Sequence, residues 1–178
     1  MTASNSDGSR ENQVKILLVG LDNSGKTSIL TCLKGIKNIS AFSALRPTRG
    51  ARWEDFEALN KAYLVVDLGG QKAFRNGYLN DFTNFLAGTN KIIYVIDVQD
   101  KNRYDEALEY MDRVIKQLCN PNTIDFSIFL HKFDSDFEID ENDIDKLFRT
   151  IKRVVPPNFN YSVHKTSIYA TFEKIIIT

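Results

Sequence analysis

The chain has 178 residues, of which 43% are hydrophobic and 26% are charged, and these values fit one globular domain with a sizeable core. Its 23 basic and 23 acidic residues cancel to a formal net charge of zero, which argues against nucleic acid as a partner. The two cysteines, Cys32 and Cys119, lack metal-ligand spacing and indicate free thiols in a reducing compartment.

Residues 1–12 are polar, and we expect them to form a flexible tail ahead of a single domain over residues 13–178. They contain neither the apolar core of a signal peptide nor an amphipathic stripe, and Thr2 replaces the glycine that N-myristoylation requires. We therefore expect a cytoplasmic protein that has no membrane anchor of its own and reaches membranes through partners.

Apolar runs alternate with helical periodicity along the rest of the chain. Buried strands are predicted at residues 14–20, 62–68, 91–97 and 125–131, and a weaker one at 159–167. Helices are predicted at residues 25–35, 103–118, 141–154 and 168–177. An extended segment, 51–59, is expected to pair antiparallel with the second strand through a turn near Asn60 and Lys61. The alternation predicts an α/β fold with a mostly parallel sheet between helices, and ligands of such sheets bind beyond the carboxyl ends of the strands.

The first strand ends in GLDNSGKT, which matches the phosphate-binding pattern G-x-x-x-x-G-K-T. Backbone N–H groups of such a loop point at phosphates, the Lys26 charge lies between the β- and γ-phosphates, and the Thr27 hydroxyl binds Mg²⁺. The alternative is an ordinary glycine turn between a strand and a helix. The predicted nucleotide-binding residues here are Asp22, Asn23, Ser24, Gly25, Lys26, Thr27 and Ser28.

The second strand ends in DLGGQ. Asp67 is placed to hold Mg²⁺ through a water, the Gly70 N–H to reach a γ-phosphate, and Gln71 to orient an attacking water. The alternative is a turn with an exposed glutamine. We expect residues 72–82, which follow, to form a mobile surface that partners contact.

Two later strand ends carry groups that suit a purine base. In HKFD, the Asp134 carboxylate can accept hydrogen bonds from N1–H and the exocyclic amine of guanine, a donor pair that adenine lacks. The Lys132 stem can pack over the base, and His131 precedes it. In TSI, the Ser167 N–H can donate to guanine O6, and Ile168 follows it in the predicted site.

These segments, with Pro47 and Thr48, resemble the small GTPases of the Ras superfamily. GLDNSGKT, the Pro-Thr pair and DLGGQ resemble the Arf/Arl branch, whereas HKFD, YVIDV and TSIY resemble the Rag branch. The resemblance covers nearly the whole chain and implies the small-GTPase form of the P-loop NTPase fold. It also implies that Thr48 coordinates Mg²⁺ and senses the γ-phosphate.

The function implied by the resemblance is a molecular switch that binds Mg²⁺-GTP, hydrolyses it slowly to GDP and signals through switch-dependent protein binding. Gln71 and Lys26 would be catalytic, and Thr27, Thr48 and Asp67 would hold the metal. The implied partners are an exchange factor, a GTPase-activating protein and effectors, and a GTPase dimer is left open.

Some positions depart from the family pattern. His131 stands where most members have asparagine, and a satisfied structural histidine is an alternative to a base contact. Ala51 and Val66 replace an aromatic residue and a tryptophan of the Arf pattern, so the usual Arf effector surface is not expected. Trp53 and Phe56 either supply a different apolar patch or belong to the core.

Two other classes of protein stay open. A P-loop kinase or metabolic NTPase would need an acceptor site and an arginine-rich lid, and we find no lid-like insertion. A scaffold that holds nucleotide without hydrolysing it is only weakly opposed by the intact Gln71. If the chain is a GTPase switch, Arg46 or Arg49 is a candidate for an arginine that the same chain supplies to the transition state. The alternative is that both arginines are solvated and contact partner proteins.

Overall fold

The structure, a computed structural model, describes residues 13–36, 41–42, 44–118, 123–135, 138 and 140–168. Three predictions concern residues outside these ranges and remain predictions: the tail 1–12, the free thiol of Cys119 and nearly all of the last helix. In the part of the chain that is described, no helix combines the length and the apolar character needed to cross a membrane.

Among the described residues, six strands form one sheet in the order β2-β3-β1-β4-β5-β6. Within this sheet β2 and β3 pair antiparallel and the other neighbours are parallel, which confirms the predicted mostly parallel sheet. The strands are β1 (Gln13–Gly20), β2 (Ala51–Ala58), β3 (Lys61–Leu68), β4 (Lys91–Asp97), β5 (Asp125–His131) and β6 (Tyr161–Thr166). The last strand begins later than predicted because the Phe159 N–H donates to the Pro156 carbonyl at 3.0 Å in a turn ahead of it.

Helices cover both faces of this sheet. They are α1 (Lys26–Leu33), α2 (Lys72–Asn80), α3 (Phe82–Leu86), α4 (Tyr104–Ile115) and α5 (Glu141–Val154), with a 3-10 helix at Lys101–Arg103. In β1, Leu17 and Val19 join a cluster with apolar residues of α4 and α5. The intervening Ile16 and Leu18 join a second cluster with α1. The continuous apolar run therefore serves two cores, as strands buried on both faces require.

The β2–β3 hairpin closes one residue earlier than predicted. Leu59 and Asn60 form its two-residue turn, and both have positive φ angles, of 50° and 59°. Turns with two positive φ angles match the twist of the flanking strands. The hairpin leaves β2 at the outer edge of the sheet and connects the Thr48 segment directly to the strand that ends next to Gly69.

Residues 72–82, predicted as a mobile surface that partners contact, contain a helix that the sequence analysis did not predict. Helix α2 spans Lys72–Asn80, and α3 begins at Phe82. The buried Arg75 forms an ion pair with Glu106 of α4 and lies over the ring of Tyr110, 5.2 Å from its centroid. Packing of this kind stabilises a helix whose glycine and asparagine residues have low helix propensity.

Candidate functional site

A cavity of about 220 Å³ lies at the carboxyl ends of β1 and β3. Three separate segments line it: the phosphate loop, the segment before β2 that carries Thr48, and the Gly70–Gln71 pair. The lining residues are Asp22, Asn23, Gly25, Lys26, Thr27, Ser28, Leu45, Arg46, Pro47, Thr48, Gly70 and Gln71. Ser24 is buried behind the loop rather than in the lining. The cavity therefore brings together the segments that the sequence analysis assigned to phosphates.

The Lys26 side chain is folded back over the loop that precedes it. Its Nζ donates hydrogen bonds to the backbone carbonyls of Leu21 at 2.6 Å and Gly20 at 3.1 Å. Burial lowers the pKa of Lys26 to about 8, although the nearby Asp67 and Asp22 carboxylates act in the opposite direction. A phosphate bound in the cavity would favour the charged form of this amine.

Three oxygen-bearing side chains meet next to the cavity: Thr27 and Thr48 line it, and the fully buried Asp67 lies behind them. The Thr27 hydroxyl donates to Oδ2 of Asp67 at 2.6 Å and lies 2.9 Å from the Thr48 hydroxyl, which donates to the same carboxylate oxygen at 3.1 Å. Oδ1 of Asp67 is buried and has no hydrogen-bond partner among the described residues. The structure thus joins the three residues predicted to hold a metal.

This cluster fits Mg²⁺ better than an ion that takes all its ligands from the protein. Among the residues described, no group of three or more His, Cys, Asp or Glu side chains forms a metal cage. Mg²⁺ is commonly held by one or two carboxylates together with substrate phosphates and waters. The partnerless Asp67 oxygen is an additional acceptor at this position.

Gly70 touches the phosphate loop through its backbone. A Cβ atom built on Gly70 would lie 2.1 Å from the carbonyl carbon of Leu21 and 2.2 Å from the amide nitrogen of Asp22. No side chain fits this approach, because such a Cβ would overlap backbone atoms on the other side of the contact. Gln71, directly after it, lies in the cavity wall and precedes the first residue of α2.

His131 packs against the same loop from the opposite side. Gly25 has a φ of 92°, and a Cβ there would lie 2.4 Å from Cδ2 of His131. The ring is buried, and its Nδ1 lies 2.9 Å from the Thr166 hydroxyl. Burial, together with the neighbouring Lys132 charge, lowers the pKa of His131. These contacts agree with the structural alternative for this residue, a brace behind the loop.

The predicted base-binding residues lie at the ends of β5 and β6. Asp134 is positioned by two donors: Gln99 Nε2 donates to its Oδ2 at 3.0 Å, and the Ser167 hydroxyl donates to its Oδ1. Lys132, whose φ is 67°, donates from Nζ to Oδ2 of Asp97 at 2.6 Å. Ile168 is half-buried beyond β6. Sequence reasoning missed Gln99, since nothing in YVIDVQD marks it as a support for a carboxylate 35 residues away.

The two candidate arginines differ in position. Arg46 lines the cavity itself, whereas Arg49 lines a neighbouring groove on the outer side of the Thr48 segment. A third arginine, which the sequence analysis did not consider, contacts the phosphate loop: Arg103 donates to both the side chain and the backbone of Asp22.

The two aromatic residues of β2 divide between surface and core. Trp53 is 51% exposed, and its ring stacks on Phe85 with 6.3 Å between centroids. Phe56 stacks on Tyr63 at 5.5 Å and packs against the second core cluster. The core alternative therefore holds for Phe56, while Trp53 presents an aromatic surface between the hairpin and α3.

Comparisons with known proteins agree with this arrangement. The family model described as the ADP-ribosylation factor family matches residues 2–173. ADP-ribosylation factor-like protein alp41 of Schizosaccharomyces pombe is 35% identical over 106 residues, which are 60% of this chain and 53% of that protein. The chain thus spans about half the length of this curated relative.

Among solved structures, the Arl6 BBS3 small GTPase from Trypanosoma brucei with bound nucleotide analogue GppNp has the same fold. The TM-score is 0.68 at 21% identity, and the match covers 88% of this chain and 87% of that one. The similarity of these two structures confirms the predicted fold class.

Proposed function

This chain belongs to the ADP-ribosylation factor family of small GTPases, and we propose that it is a guanine-nucleotide switch that binds Mg²⁺-GTP and slowly hydrolyses it. One observation carries the proposal. Thr27 and Thr48 meet the buried Asp67 within hydrogen-bonding distance, and both threonines line the cavity that Lys26 and Gln71 also line. Members of the family bind GTP as switches, and these residues are the parts that such chemistry needs.

Each residue has a distinct task in the proposed reaction. Lys26 neutralises charge between the β- and γ-phosphates, and Gln71 orients the water that attacks the γ-phosphorus while the bond to the bridging oxygen breaks. Mg²⁺, held by Thr27, Thr48 and Asp67, would neutralise charge on the same phosphates. The products are GDP and inorganic phosphate. Loss of the γ-phosphate releases the two segments that contain Thr48 and Gly70.

We predict that Gln71→Leu lowers the single-turnover rate of GTP hydrolysis by about 10- to 100-fold, because the attacking water loses its orientation. Nucleotide affinity should stay near that of the wild type, since the phosphate loop and Lys26, not the Gln71 side chain, hold the phosphates. The rate is measured by phosphate release from preloaded protein, and affinity by titration with a fluorescent GDP analogue.

Identification of the nucleotide that copurifies with the wild-type protein complements this measurement. We expect GDP or GTP. Copurified ATP would favour the metabolic NTPase or kinase alternative. Guanine nucleotide that is retained but never hydrolysed, with Gln71→Leu indistinguishable from the wild type, would favour the scaffold alternative.

We further propose that Arg46, rather than Arg49, is the arginine that acts in cis, because of the two only Arg46 lines the cavity. We predict that Arg46→Ala lowers the intrinsic hydrolysis rate by about 10-fold or more, since arginines that reach the transition state are worth 10³ or more in other GTPases. Arg49→Ala, which removes the same charge three positions further along the chain, is the matched control and should hydrolyse at the wild-type rate. Equal rates for all three proteins would contradict the role.

The output of the switch is proposed to be protein binding. An exchange factor, a GTPase-activating protein and effectors would contact α2 and the hairpin, where Trp53 offers an exposed aromatic ring in place of the aromatic residues expected at Ala51 and Val66. A GTPase dimer, which the sequence analysis left open, remains part of this proposal. Residues 13–178 would act as one GTPase domain in the cytoplasm, recruited to membranes through partners.

A further inference from the structure

A carboxylate lies in the wall of the cavity assigned to phosphates. Asp22 lines the cavity within the loop and is 44% exposed at its side chain. A nucleoside diphosphate or triphosphate brings several negative charges to this point, and like charges a few ångströms apart repel each other. A second cation next to Asp22, besides Lys26, would reduce this repulsion.

Arg103 supplies such a cation from 81 residues further along the chain. Its Nη1 donates to Oδ1 of Asp22 and its Nη2 to the backbone carbonyl of the same residue, both at 3.1 Å. Its Nε donates to Oδ2 of Asp100 at 2.6 Å. Because the guanidinium is a planar fork with fixed donor directions, this geometry holds both the side chain and the backbone of Asp22.

The position of Arg103 is itself fixed by the end of β4. Its backbone N–H donates to the carbonyl of Asp100 at 3.1 Å within the 3-10 helix. The hydroxyl of the next residue, Tyr104, donates to the carbonyl of Val98 at 2.6 Å. Burial raises the pKa of Tyr104 to about 12, so this hydroxyl stays a neutral donor at ordinary pH. The guanidinium is thus tied to the core sheet rather than to a free loop.

The backbone that Arg103 holds is also the backbone that Gly70 contacts, since a Cβ on Gly70 would lie 2.2 Å from the Asp22 nitrogen. We propose that Arg103 is a positioning residue for nucleotide binding, which neutralises Asp22 and fixes the phosphate loop where Gly70 packs. This inference rests on the proposed guanine-nucleotide function and assigns Arg103 no contact with the nucleotide.

The test is the rate at which a fluorescent GDP analogue leaves the full-length protein. We expect Arg103→Ala to speed release by about 3- to 10-fold, a range set by a partly exposed, charge-assisted pair. Adding Asp22→Asn should return the rate to within about 2-fold of the Asp22→Asn single variant, because the repulsive charge is gone. The effect of Arg103→Ala should also shrink as salt is raised, since exposed charges are screened.

Lys116→Ala is the matched control. It removes a cation and its 2.5 Å ion pair with Asp112 just beyond the other end of α4, and it should not change release. A double variant as fast as Arg103→Ala, or a salt-independent effect, would show a purely structural role and overturn the inference. If Arg103→Ala does not fold, Arg103→Gln replaces it: the charge is lost while much of the side chain remains, so release about 3- to 10-fold faster than that of the wild type is expected, and release at the wild-type rate contradicts neutralisation.

The proposed function and this inference fail in different ways. Wild-type protein that does not bind the GDP analogue would overturn the proposed function. Wild-type protein that binds it, together with an Arg103→Ala variant that releases it at the wild-type rate, would overturn only the role of Arg103.

Discussion

Asp134→Asn is expected to lower the affinity for GTP by about 100-fold or more and to create affinity for xanthosine triphosphate. Both Asp134 oxygens accept hydrogen bonds from fixed donors, Gln99 and Ser167, so the carboxylate is held with acceptor capacity to spare. An amide in its place turns one acceptor into a donor, which cannot pair with the exocyclic amine of guanine. Xanthine has a carbonyl oxygen at that ring position and accepts from the amide instead.

Competition of guanosine, xanthosine and adenosine triphosphates against a fluorescent GDP analogue measures this change. Asp125→Asn is the matched control, because it makes the same substitution at the opposite end of β5, where the carboxylate pairs with Lys91 at the surface. Its nucleotide preference should equal that of the wild type. If Asp134→Asn kept the wild-type preference for guanine, the base would have to be recognised elsewhere.

Gly70→Ala is expected to lower the rate of GTP hydrolysis by about 100-fold and to weaken binding of a non-hydrolysable GTP analogue by about 10-fold. The added Cβ would overlap backbone atoms of Leu21 and Asp22, which cannot rotate away as a side-chain end can. The segment that carries Gln71 must then move off the loop. Affinity for GDP should change less, because GDP has no γ-phosphate for Gly70 to contact.

Gly77→Ala is a suitable control for this experiment. It adds the same methyl group seven residues later, within α2, where nothing lies within 4 Å of the new atom. Alanine favours a helix over glycine, so this variant should unfold at an equal or higher temperature, with a gain of up to about 1 kcal/mol. Hydrolysis by Gly70→Ala at the wild-type rate would show that packing against the loop does not position Gln71.

The phosphate-binding part of the site was predictable because short, continuous stretches of sequence specify it. GLDNSGKT fixes a loop and a helix start within one stretch, and the carboxyl ends of parallel strands must meet at one edge of the sheet. Asp67 and Gly70 could therefore be placed next to that loop before any coordinates were considered. The two-sided burial of β1 likewise follows from an uninterrupted apolar run.

The contacts that support the site were not predictable, because they join residues far apart in the chain. Gln99 and Arg103 lie in ordinary polar sequence, and only the parallel arrangement of β1, β4 and β5 brings them to Asp134 and Asp22. Helix α2 was missed for another reason: its sequence has weak intrinsic propensity, and tertiary contacts such as the Arg75 ion pair stabilise it.

The position of β2 at the outer edge of the sheet bears on how the protein behaves at high concentration. An unpaired edge strand offers its backbone groups to the same strand of a second molecule, which is a common start of aggregation. The sequence of β2, ARWEDFEA, carries three acidic side chains and one basic side chain among its eight residues. Edge-to-edge pairing of two copies would bring these acidic groups together, so the composition of β2 opposes association through this edge.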